Sequence, residues 1–286
     1  MNNYLDYLTL CAAAAAGGAI NSIAGGGTLL TFPALFAALG ASDDASVIAN
    51  ATSTVALFPG SLASMAGYRR ELAEAPRWSL WLILPCLLGG YCGSRLVIWL
   101  PSATFKTLVP WLILVAALLF WLQPQIGKRL GIGREHAPAT RRSIAGTMVF
   151  QLLVAVYGGY FGAGIGILML SALAMMGLGD IHRMNALKTL LGSCINGVAV
   201  VVFVAGGKVN WRYALVMAAA AIVGGYFGAH FARRLDRNLV RRTVVSIGFV
   251  LAAYYFYGQL KPLLSPSEQP PATASASQPP GAASLI

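Results

Sequence analysis

The chain has 286 residues, of which 57% are hydrophobic and only 10% are charged, and its mean hydropathy is +0.69. Soluble domains carry roughly 25% charged residues, so this composition excludes a single water-soluble domain. The net charge of +11 does not indicate a nucleic-acid partner, because the basic residues lie in short segments between apolar runs and are not interleaved with aromatic residues.

Apolar runs of about 20 residues recur along the chain, and each is long enough to cross a hydrocarbon core of about 30 Å as a helix. A helix satisfies its own backbone hydrogen bonds in lipid, and the sequence has no barrel pattern. We therefore expect an all-α polytopic membrane protein. The runs cover residues 46–66, 79–100, 104–122, 185–205, 213–232 and 239–257.

Glycines interrupt two further apolar segments. The stretch AINSIAGGGTLLTFP contains three consecutive glycines, and GAGIG follows at 162–166. As helices, residues 5–20 and 26–39 would be about 24 Å and 21 Å long, too short to span comfortably. The pattern predicts a re-entrant-like hairpin of two half-helices. Non-helical backbone at that depth is tolerated only where it lines a cavity or is packed in protein.

Two motifs repeat at one offset. GGYCG at 89–93 and GGYFG at 224–228 are separated by 224 − 89 = 135 residues, as are NATSTV from Asn50 and NALKTL from Asn185. The GxxxG spacing indicates close helix packing. The offset predicts duplicated halves. The expected organisation is an N-terminal transmembrane repeat 1–122, a cytoplasmic basic linker 123–143, a C-terminal transmembrane repeat 144–258 and a disordered Pro/Ser/Ala tail 259–286.

The basic residues indicate how the halves are oriented. With four simple crossings per half, eleven basic residues lie on one side and eight on the other. If each broken hairpin instead enters and returns on one side, fourteen lie in the cytoplasmic segments 67–78, 123–143, 179–184 and 231–242, and five lie outside. The second distribution fits the positive-inside rule. It predicts two inverted repeats, each with a broken hairpin plus three transmembrane helices.

A helix that begins at a break directs its free N–H groups and its positive dipole end at the cavity, which favours an anion. Paired interruptions in inverted halves indicate a transporter's midplane site.

Lys188 is the cation well inside a predicted span; it either binds the anion or snorkels to the interface. Close helix packing is the alternative role for the three adjacent glycines. The candidate substrate-binding residues are Asn21, Gly25, Gly26, Gly27, Asn50, Thr52, Ser53, Gly164, Gly166, Asn185, Lys188 and Asn196.

Other chemistries lack candidate residues. The four cysteines lie in apolar segments without ligand spacing, the three histidines lie near no carboxylate or cysteine cluster, and no acidic residue lies deep in a span. We expect no cofactor, no metal site and no enzymatic activity. An anion channel that uses the hairpins as filter loops, and a transporter of another small solute, are the alternatives.

Four stretches carry a family resemblance: NSIAGGGTLLTFPAL, ANATSTVALFPGSLASMAGYRR, GAGIGILML and MNALKTLLGSCINGVAVVVFV. Over nearly all of residues 8–257 the chain resembles the TauE/SafE family of sulfite exporters, also called the 4-toluene sulfonate uptake permease family. The matching motif residues are Asn21, Gly25–Gly27, Asn50, Thr52, Ser53, Asn185 and Lys188.

The resemblance implies transport of sulfite, organosulfonates or related sulfur-containing anions across the bacterial inner membrane. We expect a multi-pass secondary transporter that works by alternating access, with export as the direction. Its partners would be the anion and membrane lipids, and a homodimer is left open.

Overall fold

The computed structural model of the protein describes residues 3–23, 25–40, 42–129, 141–178, 180–231 and 237–264. These residues form helices and short connections, and none of the described ranges contains a strand. A 3₁₀ helix, Arg77–Leu82, precedes α5. The α-helices are α1 (Asn3–Ile23), α2 (Thr28–Leu39), α3 (Ala45–Gly67), α4 (Arg69–Ala73), α5 (Ile83–Trp99), α6 (Ser102–Arg129), α7 (Arg141–Tyr160), α8 (Ile165–Met175), α9 (Ile181–Ala205), α10 (Trp211–Phe231) and α11 (Arg237–Leu264).

Several helices have the length and composition of membrane spans. Four stretches of the described residues are long and apolar enough to cross a bilayer, namely Arg77–Trp99, Ser102–Arg129, Ile181–Ala205 and Arg241–Leu260. Large apolar side chains on their outer faces are exposed, as with Val201 and Val250 at 68% each. Exposed apolar faces on long helices fit a lipid environment. The prediction of an all-helical membrane protein is confirmed.

The two broken hairpins are present, but their arms are unequal. The first arms, α1 and α7, have 21 and 20 residues, whereas the second arms, α2 and α8, have 12 and 11. At 1.5 Å per residue the first arms are about 30 Å long and the second arms less than about 20 Å. The expectation of a short first half-helix over 5–20 is therefore wrong. Helix α1 continues to Ile23 because it packs along α10, where Gly18 lies against the Ala221 carbonyl.

The two GGYxG motifs make equivalent contacts. The motif in α5 packs on α7, where a Cβ at Gly93 would lie 2.1 Å from the Val156 carbonyl oxygen. The motif in α10 packs on α1, where a Cβ at Gly224 would lie 1.9 Å from the Ala15 carbonyl oxygen. These helices touch backbone to backbone, which confirms the close packing predicted from the GxxxG spacing. The first arm of each hairpin is therefore held by a helix from the other half of the chain.

One end of the helix bundle, the Asp44 end, is defined by contacts of Asp44. Its carboxylate accepts a hydrogen bond from Lys208 Nζ at 2.6 Å and another from the Ser102 hydroxyl. Tyr7, near the start of α1, packs edge-on against Tyr213 with ring centroids 5.7 Å apart. Tyr213 follows Lys208 closely in sequence. Helix α1 therefore begins at the end of the bundle where α2 finishes, so both ends of this hairpin lie at the Asp44 end.

The opposite end, the Glu74 end, is defined by the salt bridge between Arg183 and Glu74 at 2.9 Å. Asp180 lies here and caps α9 by accepting a hydrogen bond from the His182 N–H at 2.8 Å. Helix α3 runs from the Asp44 end towards Glu74, whereas α9 runs from Arg183 towards Lys208. These two helices therefore run in opposite directions.

The structure covers the expected boundaries 1–122, 123–143, 144–258 and 259–286 only in part. Helix α6 continues to Arg129 and α7 begins at Arg141, so helix extends into both sides of the linker segment. Helix α11 continues to Leu264, into the segment assigned to the tail. Residues 130–140 and 265–286 lie outside the described residues.

We expect Gly224→Ala to destabilise the protein. The added methyl group meets the Ala15 carbonyl, and overpacking of this kind costs about 1–3 kcal/mol, although alanine is the better helix former. Thermal unfolding in detergent measures the effect. Gly258→Ala in α11 is the matched control, because a Cβ there meets no atom within 4 Å. Equal unfolding temperatures for Gly224→Ala and Gly258→Ala would contradict the backbone contact between α1 and α10.

The Asp44 contacts also predict a dependence on pH. Hydrogen bonds from Lys208 and Ser102 hold the pKa of the Asp44 carboxyl below its ordinary value of 3.8. A lowered folded-state pKa stabilises the protein above the unfolded pKa, and this contribution is lost as the pH falls through the folded value. Both partners are partly exposed, so the effect is at most about 1 kcal/mol.

The unfolding midpoint of wild type should therefore exceed that of Asp44→Asn at about pH 6 and converge with it towards about pH 3. The neighbouring Asp43→Asn variant serves as the control for loss of a carboxylate. A difference between wild type and Asp44→Asn that does not change with pH would rule out this ion pair.

Candidate functional site

The two helix breaks lie against each other. The Gly164 N–H donates to the Gly25 carbonyl oxygen at 3.0 Å. Gly25 has a φ of 75°, which side-chain-bearing residues rarely adopt, and a Cβ there would lie 2.8 Å from the Gly166 Cα. Glycine is thus required at position 25 both by its conformation and by the close approach of the other half. Each break supplies a backbone partner to the other.

A cavity of about 30 Å³ lies beside this contact, with room for about two or three water-sized groups. Its described lining contains hydroxyl, amide and ammonium groups together with a few apolar side chains, and it contains no Asp or Glu. Such a lining can hold a small anion. The lining residues are Asn21, Ser22, Gly25, Thr28, Thr54, Leu57, Ser61, Ser64, Phe161, Gly162, Ile165, Gly166, Met169, Lys188, Thr189, Gly192, Ser193 and Asn196.

Lys188 carries the positive charge of this lining. Its side chain is only 3% exposed, and Nζ donates to the Ser22 carbonyl oxygen at 3.3 Å. Ser22 lies in the last turn of α1, where the carbonyl groups form the negative end of the helix. In this structure Lys188 is therefore directed into the protein rather than snorkelling to the membrane interface.

Asn50 makes a similar contact from the other half. Its Nδ2 donates to the Tyr160 carbonyl oxygen at 3.0 Å, in the last turn of α7. Like Lys188 on α9, Asn50 on α3 thus holds the end of the first hairpin arm of the opposite half. Asn50 is 1% exposed and does not line the cavity.

Thr52 and Ser53 also make helix-to-helix contacts outside the cavity lining. The Ser53 and Thr31 hydroxyls lie 2.5 Å apart and join α3 to α2. Thr52 Oγ1 accepts a hydrogen bond from the Asn210 N–H at 3.0 Å, just before α10. The structure therefore gives both hydroxyls a partner within the protein.

Four further candidates do not line the cavity. A Cβ at Gly26 would lie 2.4 Å from the Phe120 ring, and one at Gly27 would lie 2.3 Å from a carbonyl oxygen of α1. Gly164 contributes the bond between the breaks. The Asn185 Oδ1 is buried without a hydrogen-bond partner among the described residues. Five of the twelve candidates line the cavity, namely Asn21, Gly25, Gly166, Lys188 and Asn196.

Sequence reasoning missed several lining residues that two signals could have found. The 135-residue offset relates Asn196 to Ser61 and Thr189 to Thr54, and all four line the cavity. Helical spacing from Thr189 also predicts a common face of α9 that includes Ser193, four residues later. The remaining missed polar side chains are Ser22 and Thr28, which flank the first break, and Ser64, one turn beyond Ser61.

Ser193 carries an unpaired hydroxyl in the cavity wall. It is 6% exposed, and its Oγ has no hydrogen-bond partner in the described part of the chain. Asn21, by contrast, donates to the Ser61 hydroxyl at 2.9 Å. A buried hydroxyl without a partner is costly, so Ser193 points to a polar group that enters the cavity.

An all-helical membrane protein whose two broken hairpins meet beside a polar, cation-bearing cavity has the architecture of the transporter class. The sequence profile described as "Sulfite exporter TauE/SafE" matches residues 10–255. The chain belongs to this family.

Its relatives are described in general terms. A "Probable membrane transporter protein" of Haemophilus influenzae is 28% identical over 245 residues, 84% of this chain and 90% of the relative. "Probable membrane transporter protein ORF9" of Sinorhizobium sp is also 28% identical, covering 85% and 89%. "Probable membrane transporter protein YfcA" of Escherichia coli K12 is 27% identical, covering 84% and 86%. No solved structure matches the chain significantly.

We expect Ser193→Ala to leave the stability of the ligand-free protein unchanged or slightly higher, because no protein hydrogen bond is lost. Ser53→Ala, the matched control, should cost about 0.5–1.5 kcal/mol through loss of its bond to Thr31. Thermal unfolding of both variants in detergent tests this difference. A larger loss in Ser193→Ala than in Ser53→Ala would show that the Ser193 hydroxyl has a structural partner.

Proposed function

We propose that the protein is a secondary active transporter that exports sulfite or organosulfonate-type sulfur-containing anions across the bacterial inner membrane. The observation that carries the proposal is the cavity at the meeting point of the two breaks, where the Lys188 ammonium and the unpaired Ser193 hydroxyl are buried together. Membership of a family described as sulfite exporters supports the substrate class.

The helix termini at the cavity favour an anion as well. Thr28 is the first residue of α2 and Ile165 is the first residue of α8, and both line the cavity. The positive dipole ends of two short helices therefore face the same space as Lys188. A cation would meet an ammonium group and two positive helix ends without a carboxylate in the described lining.

The opposite directions of corresponding helices in the two halves support alternating access between inverted repeats 1–122 and 144–258. Helices α3 and α9 run in opposite directions, and the contact of α1 with α10 matches that of α7 with α5. By the positive-inside rule the Glu74 end faces the cytoplasm, because the basic segments 67–78 and 179–184 lie there. Ser64 and Lys188 extend the cavity towards this end. We infer that rocking of one half or of the hairpins moves the opening to the other side.

Counterflow in proteoliposomes tests the proposal. Radiolabelled sulfite should exchange saturably with internal sulfite, and unlabelled organosulfonates or thiosulfate should compete more strongly than a carboxylate. Lys188→Gln should lower the exchange rate at subsaturating sulfite roughly 10-fold or more, because a charge-assisted hydrogen bond contributes about 1.5–3 kcal/mol. Lys106→Gln is the matched control, since it removes the same charge from an exposed position at the Asp44 end.

Different outcomes separate the alternatives. Sulfite conductance without counterflow would indicate a channel, and absence of exchange with any sulfur anion in vesicles that hold folded protein would indicate another solute. Equal loss of exchange in Lys188→Gln and Lys106→Gln would show that net charge, rather than the buried ammonium, produces the effect. Exchange by Lys188→Gln at the wild-type rate would exclude the role given to this lysine.

A further inference from the structure

Gly192 leaves an open space in the wall of the cavity. It lies on α9 one turn after Lys188 and one turn before Asn196, and it lines the cavity with both. A Cβ at this position would meet no atom within 4 Å, and its φ is not positive. Neither close packing nor backbone conformation therefore requires glycine here. Glycine is nevertheless a poor residue for a helix interior, so its presence calls for another reason.

The repeat supplies the comparison. Gly192 corresponds to Leu57, since 192 − 57 = 135, and Leu57 lines the same cavity from α3 with a side chain that is 4% exposed. The equivalent position is thus filled by a large side chain in one half and is empty in the other. The free volume lies on the α9 side of the cavity, which also carries Lys188 and Ser193.

We propose that Gly192 sets the size of the anion that the cavity accepts, by leaving room for a substituent on an oxyanion whose charged group lies at Lys188. This inference rests on the proposed function. Gly192 lies about 6 Å along the helix axis from Lys188, a distance that suits a short substituent. Leu57, Phe161 and Met169 contribute apolar surface to the same cavity, so the substituent is a small apolar group.

The experiment compares two anions that differ by a short alkyl group. Unlabelled sulfite and ethanesulfonate each compete with radiolabelled sulfite counterflow, and the ratio of their apparent affinities is the readout. A methyl group added by Gly192→Ala enters the open space that the substituent of the anion would occupy. We expect it to lower the affinity for ethanesulfonate relative to sulfite by about 10- to 200-fold, the range for one methylene in a pocket.

Two further variants make the test specific. Leu57→Ala enlarges the cavity from the α3 side and should shift the ratio towards ethanesulfonate. Gly146→Ala in α7 is the matched control, because a Cβ there also meets no atom within 4 Å and Gly146 does not line the cavity. Its ratio should equal that of wild type. Gly192→Ala should unfold at or above the wild-type temperature, since the methyl group enters open space.

The results distinguish this inference from the proposed function. If wild type exchanges sulfite but Gly192→Ala keeps the wild-type ratio, or loses both anions equally, the inference is overturned and the transporter proposal stands. Exchange of sulfite without any competition by ethanesulfonate in wild type would also overturn it. Absence of exchange with either anion in wild type would overturn both.

Discussion

The backbone contact between the two helix breaks is the constraint on which the rest of the structure depends. A broken helix in a membrane leaves peptide groups without partners, and lipid offers none. Here the Gly164 N–H bonds to the Gly25 carbonyl, and Gly25 lies too close to the Gly166 backbone to carry a side chain. This contact brings the starts of α2 and α8 together and places the cavity beside them. A side chain at Gly25 would separate the breaks and expose both.

The duplicated halves share their helix packing, but the side chains at some equivalent positions differ in chemistry. Lys188 and Ser53 occupy equivalent positions, since 188 − 53 = 135. Ser53 bonds to Thr31 within its own half, whereas Lys188 reaches the end of α1 in the other half. The contacts between helices recur in both halves of the chain, but the charged side chain occurs in the second half only. The repeat therefore accounts for the scaffold, and substitutions at a few of its equivalent positions account for the site.

Apolar runs and glycines were sufficient to predict the helices, the two hairpins and their approximate positions. A helix that spans lipid needs a long apolar run, and the glycines lie where the helices are interrupted. The length of α1 was not predictable from its own residues, since its continuation depends on the contact between Gly18 and α10. The site was predicted in part. A buried amide such as Asn50 can face a ligand or another helix, and its partner Tyr160 lies 110 residues away in sequence. Only the packed structure decides between these roles.

The pairing of α1 with α10 has a consequence for biosynthesis. Helix α1 leaves the ribosome before α10, yet α10, whose glycines contact it, follows nine described α-helices later in the chain. The first hairpin therefore stays in the bilayer with an incompletely packed small-residue face until α10 has been inserted. Neither half completes its fold alone, so a nascent chain interrupted before α10 presents exposed helix faces that membrane chaperones or proteases can recognise.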